Sequence, residues 1–284
     1  MKKIGVEDLD IDYAESSKKI MQFIKEQVEK AGADGVVLGL SGGVDSATTA
    51  YLAVKALGSN KVTVLIMPYR DVTPRDDVED AMSLSSALCV KHHLVDIGKI
   101  RDSYAETLPF FSEDSKIANG NLLARIRMTI LYYYANKNNL CVLGAGDKSE
   151  ILIGYFTKYG DGAVDFLPVG DLYKTQVRKM ALYLGVPHKV AMKPSSPRLW
   201  KGHEASRELG LTYEEIDPLL YAVFDLGLAP KEAIEATGIT SEKAMVILRR
   251  VKTTEHKRRM PPVPKIGKWT LGHDPYPHAL KEFP

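Results

Sequence analysis

Hydrophobic and polar positions follow two periods along this chain, and the change between them marks its elements. Short apolar runs fall at 35–40, 62–67, 93–96 and 140–143, with a weaker one at 164–167. Each has the length of a strand. Between them, apolar residues recur at helical spacing near 12–31, 45–57, 75–90 and 117–137. That order predicts an α/β fold, a doubly wound parallel five-stranded sheet with helices on both faces. After residue 175 the pattern is mostly helical, with helices expected near 175–184, 213–225, 230–236 and 241–252. The chain reads as one domain, 1–284, with a helical C-terminal region. Its Pro- and Gly-containing end, from about 260 to 284, is expected to be extended or partly mobile.

Ligands of such sheets bind at the carboxyl ends of the strands. Three polar segments fall there: 41–46, Met67-Pro68-Tyr69-Arg70 and Gly144-Ala145-Gly146-Asp147. The first carries the most information. Residues 39–46 read Gly39-Leu40-Ser41-Gly42-Gly43-Val44-Asp45-Ser46, between an apolar strand and a helix that can be buried. The glycines let the backbone approach an anion, and the N–H groups of the first helical turn point at it. Ser41 and Ser46 add hydroxyls. Asp45 would repel phosphate unless a cation lay between them, so the loop predicts a polyphosphate bound with Mg²⁺. No Lys follows the glycines, so this is not a Walker A loop.

Two further segments carry candidate chemistry. In the helix over 121–137, Arg125, Met128 and Tyr132 share a face and Arg127 points elsewhere. An Arg near an aromatic ring suits a nucleotide, although surface arginines on an amphipathic helix are the commoner case. The segment 154–165, Gly-Tyr-Phe-Thr-Lys-Tyr-Gly-Asp-Gly-Ala-Val-Asp, is too polar and glycine-rich for a core element. It reads as a loop that closes over a ligand, with Glu150 before it and Lys174 after it.

Composition narrows the partners. A formal net charge of +2 creates no strong field for nucleic acid or anionic lipid, so neither is expected. Cys89 and Cys141 have no CxxC spacing, which fits a reduced, cytoplasmic protein. Met1-Lys2-Lys3 leads into acidic residues rather than an apolar stretch, and no segment approaches the ~20 apolar residues of a membrane span.

The run SGGVDS at 41–46 resembles the pyrophosphate loop of the ATP pyrophosphatases. With NLLARIRM at 121–128, GYFTKYGDGAVD at 154–165 and TEHKRR at 254–259, the chain resembles the ammonia-dependent NAD synthetases over roughly residues 15–272. The resemblance implies an adenine nucleotide alpha-hydrolase-like fold and amidation of deamido-NAD by ammonia. ATP is the co-substrate, and AMP and pyrophosphate are released through an adenylated nicotinate. It also implies that residues 39–46, Ala145, Lys174 and Ser196 contact ATP, and that Asp45 and Glu150 bind Mg²⁺. Arg125, Tyr132, Lys158, Asp165, His256 and Lys257 match positions that contact deamido-NAD. Asp45, Asp165 and Lys174 are the expected catalytic residues, with Asp165 orienting ammonium or taking its proton. Relatives are homodimers, and the apolar stretch 130–134 is a candidate interface. Three departures stand out: Ala145 for a frequent Thr, Gln27 for an occasional aromatic, and His203 for a usual Gln. No glutaminase segment is seen, so free ammonia is the expected donor. Other pyrophosphate-loop enzymes and a non-catalytic nucleotide sensor are the competing readings.

Overall fold

The structure is a computed structural model that describes residues 3–69, 72–271 and 274. Arg70 and residues 275–284 therefore lie outside the described residues. The elements run, in order, α1 (Tyr13–Lys30), β1 (Gly35–Gly39), α2 (Val44–Leu57), β2 (Val62–Ile66), α3 (Arg75–Ala87), β3 (Lys91–Leu94), α4 (Gly98–Thr107), α5 (Lys116–Asn138) and β4 (Leu140–Val142). Seven further helices follow: α6 (Lys148–Ile153), α7 (Lys174–Leu184), α8 (His188–Ala191), α9 (Ala205–Leu209), α10 (Tyr213–Phe224), α11 (Pro230–Thr237) and α12 (Ser241–Thr253), then the single turn Glu255–Lys257.

The sheet is parallel in the order β3-β2-β1-β4. It has four strands among the described residues, not five. The expected fifth strand at 164–167 makes one bridge, Leu143 to Phe166. The reason is local: the Asp165 carboxylate takes the Val142 N–H at 2.6 Å, in place of a ladder bond. The shorter β3 pairs only with β2 and is largely exposed, as an edge strand should be.

Alternation along β1 sorts its side chains to two cores. Val36 and Leu38 pack with α1, α2 and α7, whereas Val37 packs with α5 and Leu65 of β2. Both faces are covered, so the central strands are apolar throughout. Truncating Leu38, which is 1% exposed, to Ala would cost about 2–5 kcal/mol. A third core lies within the C-terminal helices, built on Ile216, Leu219 and Leu220 of α10 with Ile247 of α12. The part of the tail that is described, 260–271, contains no helix or strand and is mostly exposed.

The helix ends follow their sequences. Asp12 caps α1 by accepting the Glu15 N–H at 2.8 Å. Asn139 and Gly185 end α5 and α7 in left-handed conformations. The strand order reverses between β1 and β4, and the crevice at their carboxyl ends is where the polar loops collect.

Candidate active site

A cleft of about 460 Å³ opens at those strand ends. Its floor is apolar, with Leu65, Met67 and Leu131 among its residues, and the loop 39–46 forms one wall. Gly42 has φ of +77°, and a Cβ there would lie 2.2 Å from the Asp77 carbonyl oxygen, so only glycine fits. The serines hold the loop in shape. The Gly43 N–H donates to Ser41 Oγ and the Ser41 N–H to Ser46 Oγ, both at 3.2 Å, and the two hydroxyls share a bond at 3.0 Å. Gly43 is the N-cap of α2 and offers no side chain, which leaves the first turn of the helix to a ligand.

Lys193 braces this loop from far along the chain. Its ammonium donates to the Gly42 carbonyl at 3.0 Å, to Asp77 at 2.9 Å and to Asp80 at 2.6 Å. Both carboxylates are buried, and Arg198 adds a 2.7 Å pair to Asp77.

Beneath the loop lies a dense charged cluster. The Lys174 ammonium is fully buried and lies 2.7 Å from Asp45, 2.8 Å from Asp147 and 2.8 Å from Glu150. Asp147 is itself fully buried and caps α6 through the Glu150 N–H at 2.8 Å. Three carboxylates around one lysine leave a formal surplus of negative charge. Burial drives Glu150 well above the usual carboxylate range against the pull of Lys174, and it raises Asp147 too. Burial alone would lower Lys174, but Asp147, Asp45 and Glu150 win and hold it well above an ordinary lysine.

The cluster fits a divalent cation. One oxygen each from Asp45, Asp147 and Glu150 lie within 4.8 Å of one another. The second oxygen of Asp45, Oδ1, is buried without a hydrogen-bond partner. All-oxygen donors of this kind suit Mg²⁺ or Mn²⁺.

The residues singled out from the sequence divide. Of the ATP set, Gly39, Leu40, Ser41, Gly43, Val44, Asp45, Ser46, Ala145 and Ser196 line the cleft. Gly42 and Lys174 stand behind its wall, supporting it. Glu150 lines it as well. Of the deamido-NAD set only Lys257 lines it, and its ammonium donates to the carbonyls of Gly154 and Phe156 at 2.7 Å each. The others form a neighbouring surface. Arg125 donates to the Lys158 carbonyl at 3.2 Å, and the Lys158 ammonium donates to the His256 carbonyl at 2.8 Å. Asp165 accepts from the Tyr132 hydroxyl at 3.1 Å and from the Val142 N–H. Of the three departures, Ala145 and His203 line the cleft and Gln27 does not.

The cleft also holds residues that the sequence reading passed over. The helix turns Arg127 inward, not Arg125. Arg127 donates through Nε to the Met67 carbonyl at 3.0 Å, and burial lowers its pKa to about 10. Ile117, Asn121, Ala124, Met128 and Leu131 share that face at steps of three and four, a stripe present in the sequence. Asp161 reaches the cleft with an accessible carboxyl group, and the protein packed around it raises its pKa. It accepts the Thr157 N–H at 2.9 Å.

A parallel sheet with an anion loop after β1 and a lysine-centred acidic cluster beside it defines a nucleotide-dependent enzyme fold. The family model for NAD synthase matches residues 16–261, and the chain belongs to that family. It is 57% identical over 256 residues to an NH₃-dependent NAD⁺ synthetase of Hyperthermus butylicus, covering 90% of this chain and 92% of the relative. Among solved structures it is similar to an NMN synthetase from Francisella tularensis (TM-score 0.80, 33% identity, 90% of this chain, all of the other). It is also similar to an NH₃-dependent NAD synthetase from Campylobacter jejuni in complex with nitrate (TM-score 0.75, 31% identity, the same coverage).

Proposed function

We propose that this protein joins ammonia to deamido-NAD at the expense of ATP, giving NAD, AMP and pyrophosphate. The observation that carries the reading is the Asp45–Asp147–Glu150 cluster around Lys174, directly under a loop shaped for phosphates. The family membership and the NH₃-dependent relatives support it.

A carboxylate is a poor electrophile toward ammonia, so it is first activated. A nicotinate carboxylate oxygen attacks the α-phosphorus, the bond from that phosphorus to the bridging oxygen breaks, and pyrophosphate leaves. Ammonium gives one proton to a carboxylate, the ammonia nitrogen attacks the carbonyl carbon, AMP departs with the oxygen, and the nitrogen releases a second proton to solvent to leave the amide. In this reading Ser41, Ser46 and the N–H groups at the start of α2 hold the phosphates, while Lys193 keeps the loop from shifting. Asp45 and Glu150 would hold Mg²⁺, with Asp147 as a third donor. When bound, Mg²⁺ neutralises phosphate charge and stabilises the pentacoordinate transition state. Lys174 fixes the three carboxylates in register. The apolar floor at Leu65, Met67 and Leu131 receives the adenine ring.

Deamido-NAD enters over Lys257 and across the surface of Arg125, Tyr132, Lys158 and His256. The carboxylate that meets ammonium in the cleft is Asp161. Asp165, with both oxygens engaged, orients the Tyr132 side of the loop. The enzyme acts as a homodimer in the cytoplasm. Helices α4 and α5 pack together, and the exposed side chains of Ile100 and Tyr104 on α4 and of Tyr133 on α5 are apolar surface that a second copy would cover. Among the described residues no helix is long and apolar enough to cross a membrane, and both cysteines are free thiols.

The test is direct. Protein, ATP, Mg²⁺ and deamido-NAD are mixed with ammonium or with glutamine, and NAD is measured. NAD with ammonium and none with ammonia-free glutamine is the expected result. Absence of NAD with both, or equal turnover with glutamine, overturns the reading.

A further inference from the structure

Asp217 lies in α10 with no exposed surface. Its Oδ1 accepts from the Ser149 hydroxyl at 2.6 Å, and its Oδ2 accepts the Thr175 N–H at 2.8 Å. The Ser149 oxygen in turn accepts the Lys174 N–H at 2.9 Å. Lys174 and Thr175 are the first two residues of α7, whose N–H groups have no acceptor within the helix. The N-cap residue, Tyr173, does not serve them: its hydroxyl donates to Asp225 at 2.5 Å. Two other helices therefore cap α7, Ser149 from α6 and Asp217 from α10. The helix dipole and the two bonds favour the carboxylate, but burial outweighs them and pushes Asp217 up to about 7.

This joint stands next to the charged cluster. Ser149 lies between Asp147 and Glu150 on α6, and Lys174 opens α7. We propose that Asp217, acting through Ser149, is a positioning residue that locks α6 to α7 and so sets Lys174 against Asp45, Asp147 and Glu150. The proposal rests on the reading of that cluster as the metal–ATP end of the reaction centre. Without Asp217 the start of α7 would seek other acceptors. The Lys174 ammonium would then move relative to carboxylates it now meets at 2.7–2.8 Å. Asparagine at 217 can accept from Thr175 or from Ser149, but not from both.

The variants Asp217→Asn and Ser149→Ala test this beside Leu219→Ala. Leu219 is fully buried on the same helix and makes no part of the joint, so its truncation loosens α10 without touching the hydrogen bonds. Mn²⁺–ATP affinity is measured by calorimetry, and kcat and KM are measured for each substrate. The two joint variants should bind Mn²⁺–ATP about tenfold more weakly and lose roughly 10–100-fold in kcat, the usual scale for groups that orient metal ligands. Their KM for deamido-NAD should stay within about twofold, since no contact to that substrate is removed. Leu219→Ala should keep parental affinity. Parental Mn²⁺–ATP affinity in both folded joint variants overturns the proposal, as does an equal loss in Leu219→Ala. If Asp217→Asn does not fold, Ser149→Ala decides alone by the same criteria. A parent that binds Mn²⁺–ATP but makes no NAD defeats the proposed function instead, and the calorimetric comparison still settles the role of Asp217.

Discussion

The two ends of the proposed reaction centre are built differently. At the nucleotide end, the Lys174 ammonium lies within 2.8 Å of Asp45, Asp147 and Glu150, and two of these four residues have no exposed surface. The phosphate loop is held by its own serines and by Lys193. At the dinucleotide end, Arg125, Lys158 and His256 lie on the surface, bonded through one another's main-chain carbonyls. The first region is preorganised, so it spends little on rearrangement at the moment of phosphoryl transfer. The second carries side chains that can exchange a carbonyl for a substrate oxygen. On the proposed reading, activation chemistry is fixed in the core of one chain, whereas substrate selection sits on the surface, where substitutions cost little stability.

The contrast breaks most clearly at the cluster. Asp45→Asn and Glu150→Gln should each slow pyrophosphate release roughly a thousandfold, about 4 kcal/mol at the transition state. Circular dichroism should show the fold retained. Near-parental release in either variant would mean that the preorganised end is not where phosphoryl transfer occurs.

A second comparison sets Asp161 against Asp165. Loss of general-base help typically costs ~10²–10⁴-fold. Asp161→Asn should therefore stall the second half-reaction and let bound adenylate accumulate, as seen by rapid quench. Asp165→Asn should weaken both half-reactions together, because it releases Tyr132 and the Val142 N–H. Accumulation in the Asp165 variant alone would restore the role first read from the sequence.

The smallest effect is expected at Arg125. Arg125→Ala should raise KM for deamido-NAD about tenfold, the worth of one charged hydrogen bond, and leave KM for ATP unchanged. An equal rise in both would erase the division between the two ends.

Much of this was legible in advance, for identifiable reasons. β1, β2 and α2 are buried on all sides, so their apolar runs are continuous and easy to delimit. The 41–46 loop is local, and its chemistry is contained in six adjacent residues. Helix α4 escaped notice because its sequence, with Ile100 and Tyr104 facing solvent, shows no strong apolar stripe. The segment at 164–167 looked like a strand because its composition is strand-like. The side chain of Asp165 occupies the bond that would have extended the ladder. Spacing places Arg127 off the face that Arg125 shares with Tyr132, and the stripe from Ile117 to Leu131 marks the side on which it enters the cleft. Ser149, Lys193 and Asp217 left no local signal at all. Their partners lie 25 to 151 residues away, and only the folded chain brings them together.

The distance along the chain between Asp45 and Lys174, 129 residues, has a consequence for biosynthesis. During translation the phosphate loop emerges early, while the lysine that gathers its acids, and Asp217 behind it, come much later. A nascent chain short of α7 presents Asp45 without its lysine partner, and one short of α10 lacks the clamp that seats that partner. On the proposed reading, the cluster is complete only once the sheet has acquired its C-terminal helices. The order of synthesis itself then keeps the proposed site incomplete on a half-made protein.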